Sequence, residues 1–148
     1  PDYSVLFAEE KEMIANMKKV FLMVAGSAIK KYGANLEEHQ QLLMAAANIL
    51  NEIYMSESTL LRAEKNAKRF GEDAQDIQIA MAKLYLYNAV EIVIKNGKEG
   101  IISFAEGDEQ RMMLMGLKRY TKYTNYPNVV ALRNKIAEKL STENKYCF

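Results

Sequence analysis

Pro1 and Pro127 are the only prolines in the chain, so the long stretch between them lacks the residue that most reliably breaks a helix. Apolar residues recur there at three- and four-residue intervals, with no alternating pattern of the kind a strand requires. A chain spaced in this way hides its apolar side chains by laying helices against one another. The expected fold is all-α, an up-down-up-down four-helix bundle with an additional C-terminal helix, formed by residues 1–148 as one bundle domain. The length of 148 residues is adequate for this. A chain of that size buries roughly 68–70% of its unfolded surface and needs no disulfide or metal staple.

The spacing predicts a first helix over Phe7–Tyr32, with Phe7, Ile14, Met17, Phe21, Val24 and Ala28 on one face. Lys30 and Lys31 suit its C-terminal dipole, and Gly33 supplies the cap. A second helix is expected from Asn35, with Glu38 as its capping-box partner, to about Arg69, ending at Gly71. Leu42, Ala46, Ile49, Ile53, Ser56, Leu60, Ala63, Ala67 and Phe70 form its seam. Leu43, Ala47, Leu50, Tyr54 and Leu61 widen the apolar face enough for a second neighbour. A third helix starts near Asp73 or Asp76 and runs to Asn96, apolar on most of its circumference and so buried on several sides. Gly97 reads as its end, Gly100 as a kink, and Ile101–Phe104 as a short separate piece. The fourth helix begins with Asp108 as N-cap and runs to Tyr123. A turn at Asn125–Asn128 leads to the fifth, Val129–Thr142, with Val129, Leu132, Ile136 and Leu140 inward.

Charge and composition exclude several functions. Twenty basic and nineteen acidic residues interleave to a net charge of +1, which gives no strong pull toward nucleic acid. The single cysteine, Cys147, cannot form an internal disulfide and suits a reducing compartment, here read as the cytoplasm. It reads as an incidental tail residue, since no histidine or helix start lies nearby to activate it. No secretory leader is apparent, and the apolar run Val20–Ile29 is far shorter than the ~20 residues of a bilayer span.

A search for chemistry returns little. Bundles hold di-iron sites through Glu-x-x-His pairs, but the only histidine, His39, follows Leu36 at that offset and reads as a surface residue, so no metal is expected. Ser27, Ser56, Ser58 and Ser103 are scattered, without a nucleophile elbow. Gly97, Gly100 and Gly107 are too widely spaced for a phosphate cradle. Glu52, Glu57 and Glu91 interrupt apolar helices and read as paired or edge-facing carboxylates rather than raised-pKa bases. Met112, Met113 and Met115 read as core filling. Arg111, Lys118 and Lys122 recur with Met115 at three- and four-residue intervals and form either a solvated face paired with nearby Glu and Asp or a candidate docking surface for a phosphate, an acidic partner or a membrane. No catalytic, cofactor-binding or metal residue is assigned.

One segment is peculiar enough to suggest a family. SFAEGDEQRMMLMGLKRYTKYT, Ser103–Thr124, resembles the C-terminal region of bacterial acyl-CoA dehydrogenases of the very-long-chain-like type. VAGSAIKKYG at Val24–Gly33, ILNEIYMSESTLLRAEK at Ile49–Lys65 and the terminal RNKIAEKLSTENKYCF agree with it. The resemblance covers nearly the whole chain from about Phe7. It implies a homo-oligomeric flavoprotein of fatty acid metabolism whose FAD removes hydrogens from the α and β carbons of an acyl-CoA. In such a parent a glutamate takes the α proton, the flavin N5 takes the β hydride, and electrons pass to an electron-transfer flavoprotein. The family's catalytic glutamate and flavin contacts lie upstream of this region and match no position here. The resemblance therefore implies an accessory C-terminal domain that packs on the catalytic body of the same polypeptide, supports oligomers, or shields a long-chain substrate site, without FAD of its own. A stand-alone helical interaction module is the alternative, and membrane-surface docking through the first or fourth helix is the weakest reading.

Overall fold

The computed structural model describes residues 2–148. Among them are α1 (Ala8–Tyr32), a 3₁₀ helix (Gly33–Glu38), α2 (Gln40–Phe70), α3 (Asp76–Phe104), α4 (Gly107–Tyr120) and α5 (Val129–Glu143), and no strand. The all-α expectation holds, and the first four helices alternate in direction as expected. Two ion pairs, Lys11–Glu64 and Lys18–Glu57, both at 2.9 Å, set α2 antiparallel to α1. Asn48 donates to Asn96 at 3.0 Å and the Tyr85 hydroxyl to Glu52 at 3.2 Å, which sets α3 antiparallel to α2. Met17, Val20, Val24, Ile49, Leu86, Val93, Ile101 and Phe104 are fully buried between them and fill the core.

The seam predicted for α2 is nearly the one observed: Leu42, Ile49, Ile53, Ser56, Leu60, Ala63 and Ala67 are buried. Two positions differ. Ala45 takes the place assigned to Ala46, and Phe70 is more than half exposed because α2 runs out beside it. The second neighbour expected of α2 is present, since it packs on both α1 and α3, but Leu50, Tyr54 and Leu61 themselves stand in solvent at 49%, 69% and 54% exposure.

Helix boundaries differ more. The expected capping box at Asn35 and Glu38 does not form; those residues lie in the 3₁₀ helix, and α2 starts after His39 with no side-chain cap. His39 instead stacks on Tyr32, ring centroids 3.7 Å apart, so it is half buried rather than a plain surface residue. Gly33 and Gly71 end α1 and α2 with φ of 53° and 91°, as glycines past a helix end should.

Gly97 and Gly100 end nothing. Both lie inside α3, which continues through the piece assigned separately to Ile101–Phe104. Their bare α-carbons admit neighbours. A Cβ on Gly97 would lie 3.0 Å from Leu117 Cδ1, and one on Gly100 would lie 3.3 Å from Val24 Cγ1. These glycines let α4 and α1 close on α3, and the core becomes continuous there. By length and composition α3 alone could cross a membrane. It is packed against α1, α2, α4 and α5, as expected of a helix apolar around most of its girth.

The fourth helix starts two residues earlier than expected and stops three residues sooner. Its N-cap is Glu106 rather than Asp108, and it stops at Tyr120 rather than Tyr123. Thr121 Oγ1 donates to the Leu117 carbonyl at 2.8 Å, satisfying one of the end carbonyls locally. At 14 residues α4 is about 21 Å long, against about 46 Å for the 31 residues of α2. It covers half the bundle. The other half of the fourth position is taken by a non-helical strap, residues 121–128, which places Thr121 and Tyr123 against the core. Asn128 then caps α5 by accepting from the Ala131 N–H at 3.0 Å. Of the residues predicted to face inward on α5, Val129, Leu132 and Ile136 are half buried and Leu140 is exposed, because this helix packs on α3 alone.

Candidate functional site

The strap draws the polar chemistry of the molecule together. Glu9 opens α1 on its core face, in line with Met13, Met17 and Val20, and is only 9% exposed. Its Oε1 accepts the Thr124 N–H at 2.6 Å and the Asn125 N–H at 2.8 Å. The carboxylate thus ties the strap to the first turn of α1 with two charge-assisted hydrogen bonds. The Tyr3 hydroxyl donates to Glu12 at 2.9 Å and lies 3.4 Å from Thr124 Oγ1, adding an outer contact. Sequence reasoning missed Glu9, although the signal was there. Acidic residues in a first turn favour the helix dipole, but one aligned with three core positions must find buried donors.

Tyr123 sits behind this latch, 4% exposed, with Tyr87 and Tyr126 ring centroids 6.2 and 5.3 Å away. Its hydroxyl has no hydrogen-bond partner. Burial, reinforced by the charges of Glu10 and Glu9, pushes its phenol well above the ordinary range. A group so placed neither donates to a partner nor ionises near neutral pH.

The three basic residues assigned to a docking surface separate. Lys118 and Lys122 line a groove of about 550 Å³ between α3, α4 and the strap, with Lys98 across from them. Val90, Ile94, Leu114 and Leu117 form its apolar floor, and Glu91 lies on its wall. Arg111 does not line the groove; it is 74% exposed and pairs with Asp108 at 3.1 Å, one turn earlier. Lys122 also borders a second open groove of about 600 Å³, shared with Glu12, Asn16, Lys19 and Arg119. Of the three methionines read as core, only Met113 is buried; Met112 and Met115 are 72% and 66% exposed. An amphipathic helix of α4's length has room for one buried methionine per turn, and Leu117 takes the next turn.

The other candidate carboxylates are ordinary. Glu52 accepts from Tyr85, Glu57 pairs with Lys18, and Glu91 is exposed. Among the described residues no three histidine, cysteine, aspartate or glutamate side chains gather as a metal would need. FAD would need a cradle for its phosphates. A pyrophosphate favours a helix N-terminus, and α1, α3 and α4 carry carboxylates in their first turns: Glu9 and Glu10, Asp76, and Asp108 and Glu109; α2 begins without an acid or a side-chain cap. The first turn of α5 is occupied by Asn128. Of the glycines in helix interiors, Gly97, Gly100 and Gly116 are closed over by Leu117, Val24 and Met23, and Gly26 alone is open.

Comparison with known proteins places this geometry in context. The family profile of the acyl-CoA dehydrogenase C-terminal domain matches residues 16–119. A probable acyl-CoA dehydrogenase of Bacillus subtilis is 30% identical over 143 residues, which is 97% of this chain and 24% of the relative. A crystal structure of an acyl-CoA dehydrogenase complexed with FAD, from Bacillus anthracis, superposes with a TM-score of 0.92 at 33% identity. That match takes in 97% of this chain and 25% of the neighbour. The chain therefore spans about a quarter of the length of the relatives it matches.

Proposed function

This chain belongs to the acyl-CoA dehydrogenase C-terminal domain family, and from that premise we propose that residues 1–148 act as one accessory domain of an FAD-dependent acyl-CoA dehydrogenase. The observation that carries the reading is the near end-to-end match of this chain to a quarter of such enzymes. In the intact polypeptide the flavin would remove hydrogens from the α and β carbons of the acyl-CoA. The residues described here bind no part of that reaction; they fold into a rigid bundle on which the catalytic body rests. A long-chain acyl substrate in fatty acid oxidation, a homo-oligomeric cytoplasmic enzyme and transfer of electrons to an electron-transfer flavoprotein belong to the same reading. A single cysteine and the absence of a charge bias are compatible with that setting.

Arg111, Lys118 and Lys122 are the local positive surface within this reading, with Lys118 and Lys122 facing the α3–α4 groove. They would meet an acidic patch of a partner and contribute to orientation more than to affinity.

The test is direct. The purified chain is titrated with FAD and assayed for acyl-CoA oxidation beside the polypeptide encoded by its whole reading frame. The chain alone is expected to bind no flavin and to show no turnover, while the longer polypeptide does both. Tight flavin binding with turnover by the chain alone would overturn the proposal. So would a reading frame without a dehydrogenase body, which would favour the stand-alone interaction module.

A further inference from the structure

The sides of the bundle are unequally covered. The outer side of α3 is covered by α5, and the tail residues Tyr146 and Phe148 reach the groove between α2 and α3. The flank of α1 away from α2 is covered by α4 and the strap. No element of this chain lies over the outer face formed by α1 and α2 together.

That face is apolar. On α1, Leu22 and Ile29 are 66% and 57% exposed, with Gly26 between them at helical spacing. On α2, Leu50, Tyr54 and Leu61 repeat at intervals of four and seven. The Lys11–Glu64 and Lys18–Glu57 pairs fix the register of the two helices, and that register sets Leu22 level with Tyr54. The two stripes therefore run side by side as one surface. Its only central charges, Lys18 and Glu57, neutralise each other across the groove.

Gly26 supplies an independent reason to expect an occupant. A glycine inside a helix costs about 0.5–1 kcal/mol relative to alanine. Gly97, Gly100 and Gly116 justify themselves by neighbours within this chain at 3.0–3.3 Å. Gly26 has nothing within 4 Å of where a Cβ would be. Its bare backbone serves no contact described here and would admit a helix or loop approaching from outside.

We propose that the outer face of α1 and α2, centred on Leu22, Gly26 and Tyr54, is where the remaining three-quarters of the same polypeptide seats on this domain. The proposal rests on the accessory-domain reading. The relatives' extra length supplies a tethered partner at high effective concentration, which a second copy or a bilayer does not match. The neutral centre of the face suits a protein surface better than an anionic membrane. Tyr54, large and with few rotatable bonds, is the natural anchor of such a contact.

The test uses the full-length enzyme with Cys147→Ser and, singly, Leu22→Cys, Tyr54→Cys or Met112→Cys, the last as an exposed control on α4. Thiol labelling is read by peptide mass spectrometry. The first two sites are expected to react at least about tenfold more slowly than Met112→Cys, unchanged over a ~hundredfold range of protein concentration. Adding Gly26→Leu is expected to raise labelling at Tyr54→Cys toward the control rate with the far-ultraviolet dichroism unchanged. Equal rates at all three sites in an enzyme that still binds FAD and turns over would overturn the seat while leaving the accessory-domain reading intact. Protection that appears only at high concentration would assign the face to a second copy. Protection only with anionic vesicles would assign it to a membrane. Either result overturns the proposal.

Discussion

Glu9 is the residue on which most depends. Glu9→Ala leaves two strap N–H groups without an acceptor, and the expected loss is about 2–3 kcal/mol in urea unfolding, with Glu9→Gln losing less because its amide oxygen still accepts. Tyr123 makes a prediction in pH rather than in sequence. The folded protein holds the phenol proton to higher pH than the unfolded chain, whose phenol titrates near the ordinary 10.0. The stability this confers is complete below that value and falls as pH rises through it. Tyr123→Phe should therefore retain stability at neutral pH, since the lost hydroxyl has no partner, and should flatten the decline seen in alkaline denaturation. Tyr123 did not announce its role in the sequence, and Glu9 did so only through its alignment with Met13, Met17 and Val20. A carboxylate in a first turn is good helix chemistry whether it faces solvent or core, and Tyr123 continues the apolar spacing of α4 past the point where the helix stops.

At the scale of elements, periodicity was informative and punctuation was so only in part, right at Gly33 and Gly71 and wrong at Gly97 and Gly100. The seam of α2 could be read almost residue by residue, because a long helix gripped on one side repeats its burial many times. Glycine is ambiguous by nature. The same lack of a Cβ that permits positive φ at Gly33 and Gly71 permits close packing at Gly97 and Gly100, and only the neighbours decide which. The pair Gly97→Ala and Gly26→Ala separates the two cases. The first forces Leu117 off α3 and should cost about 1–3 kcal/mol despite a better helix former. The second, in open space, should stabilise this chain by about 0.5–1 kcal/mol in thermal unfolding. The missed start of α2 has a similar cause, since the Tyr32–His39 stack joins residues that no local capping rule relates.

At the scale of the whole molecule, the basic surface shows what sequence spacing can and cannot give. Lys118 and Lys122 share a groove because they lie one turn apart, but Arg111 is drawn to Asp108 instead, a choice made by side-chain reach rather than by period. The shortness of α4 has a consequence for how the molecule comes apart. Past Tyr120 the chain holds to the bundle through Tyr123, Thr124 and Asn125, and α5 follows with no side chain fully buried. The strap and α5 should therefore open as one cooperative unit ahead of α1, α2 and α3, visible in native-state hydrogen exchange as a shared free energy below the global value. Glu9→Ala should lower that shared value more than it lowers protection in the middle of α2. A carboxylate near one end of the chain would then act as the catch on a hinged panel made from the other end, and the order of unfolding would be set by a contact more than a hundred residues apart in sequence.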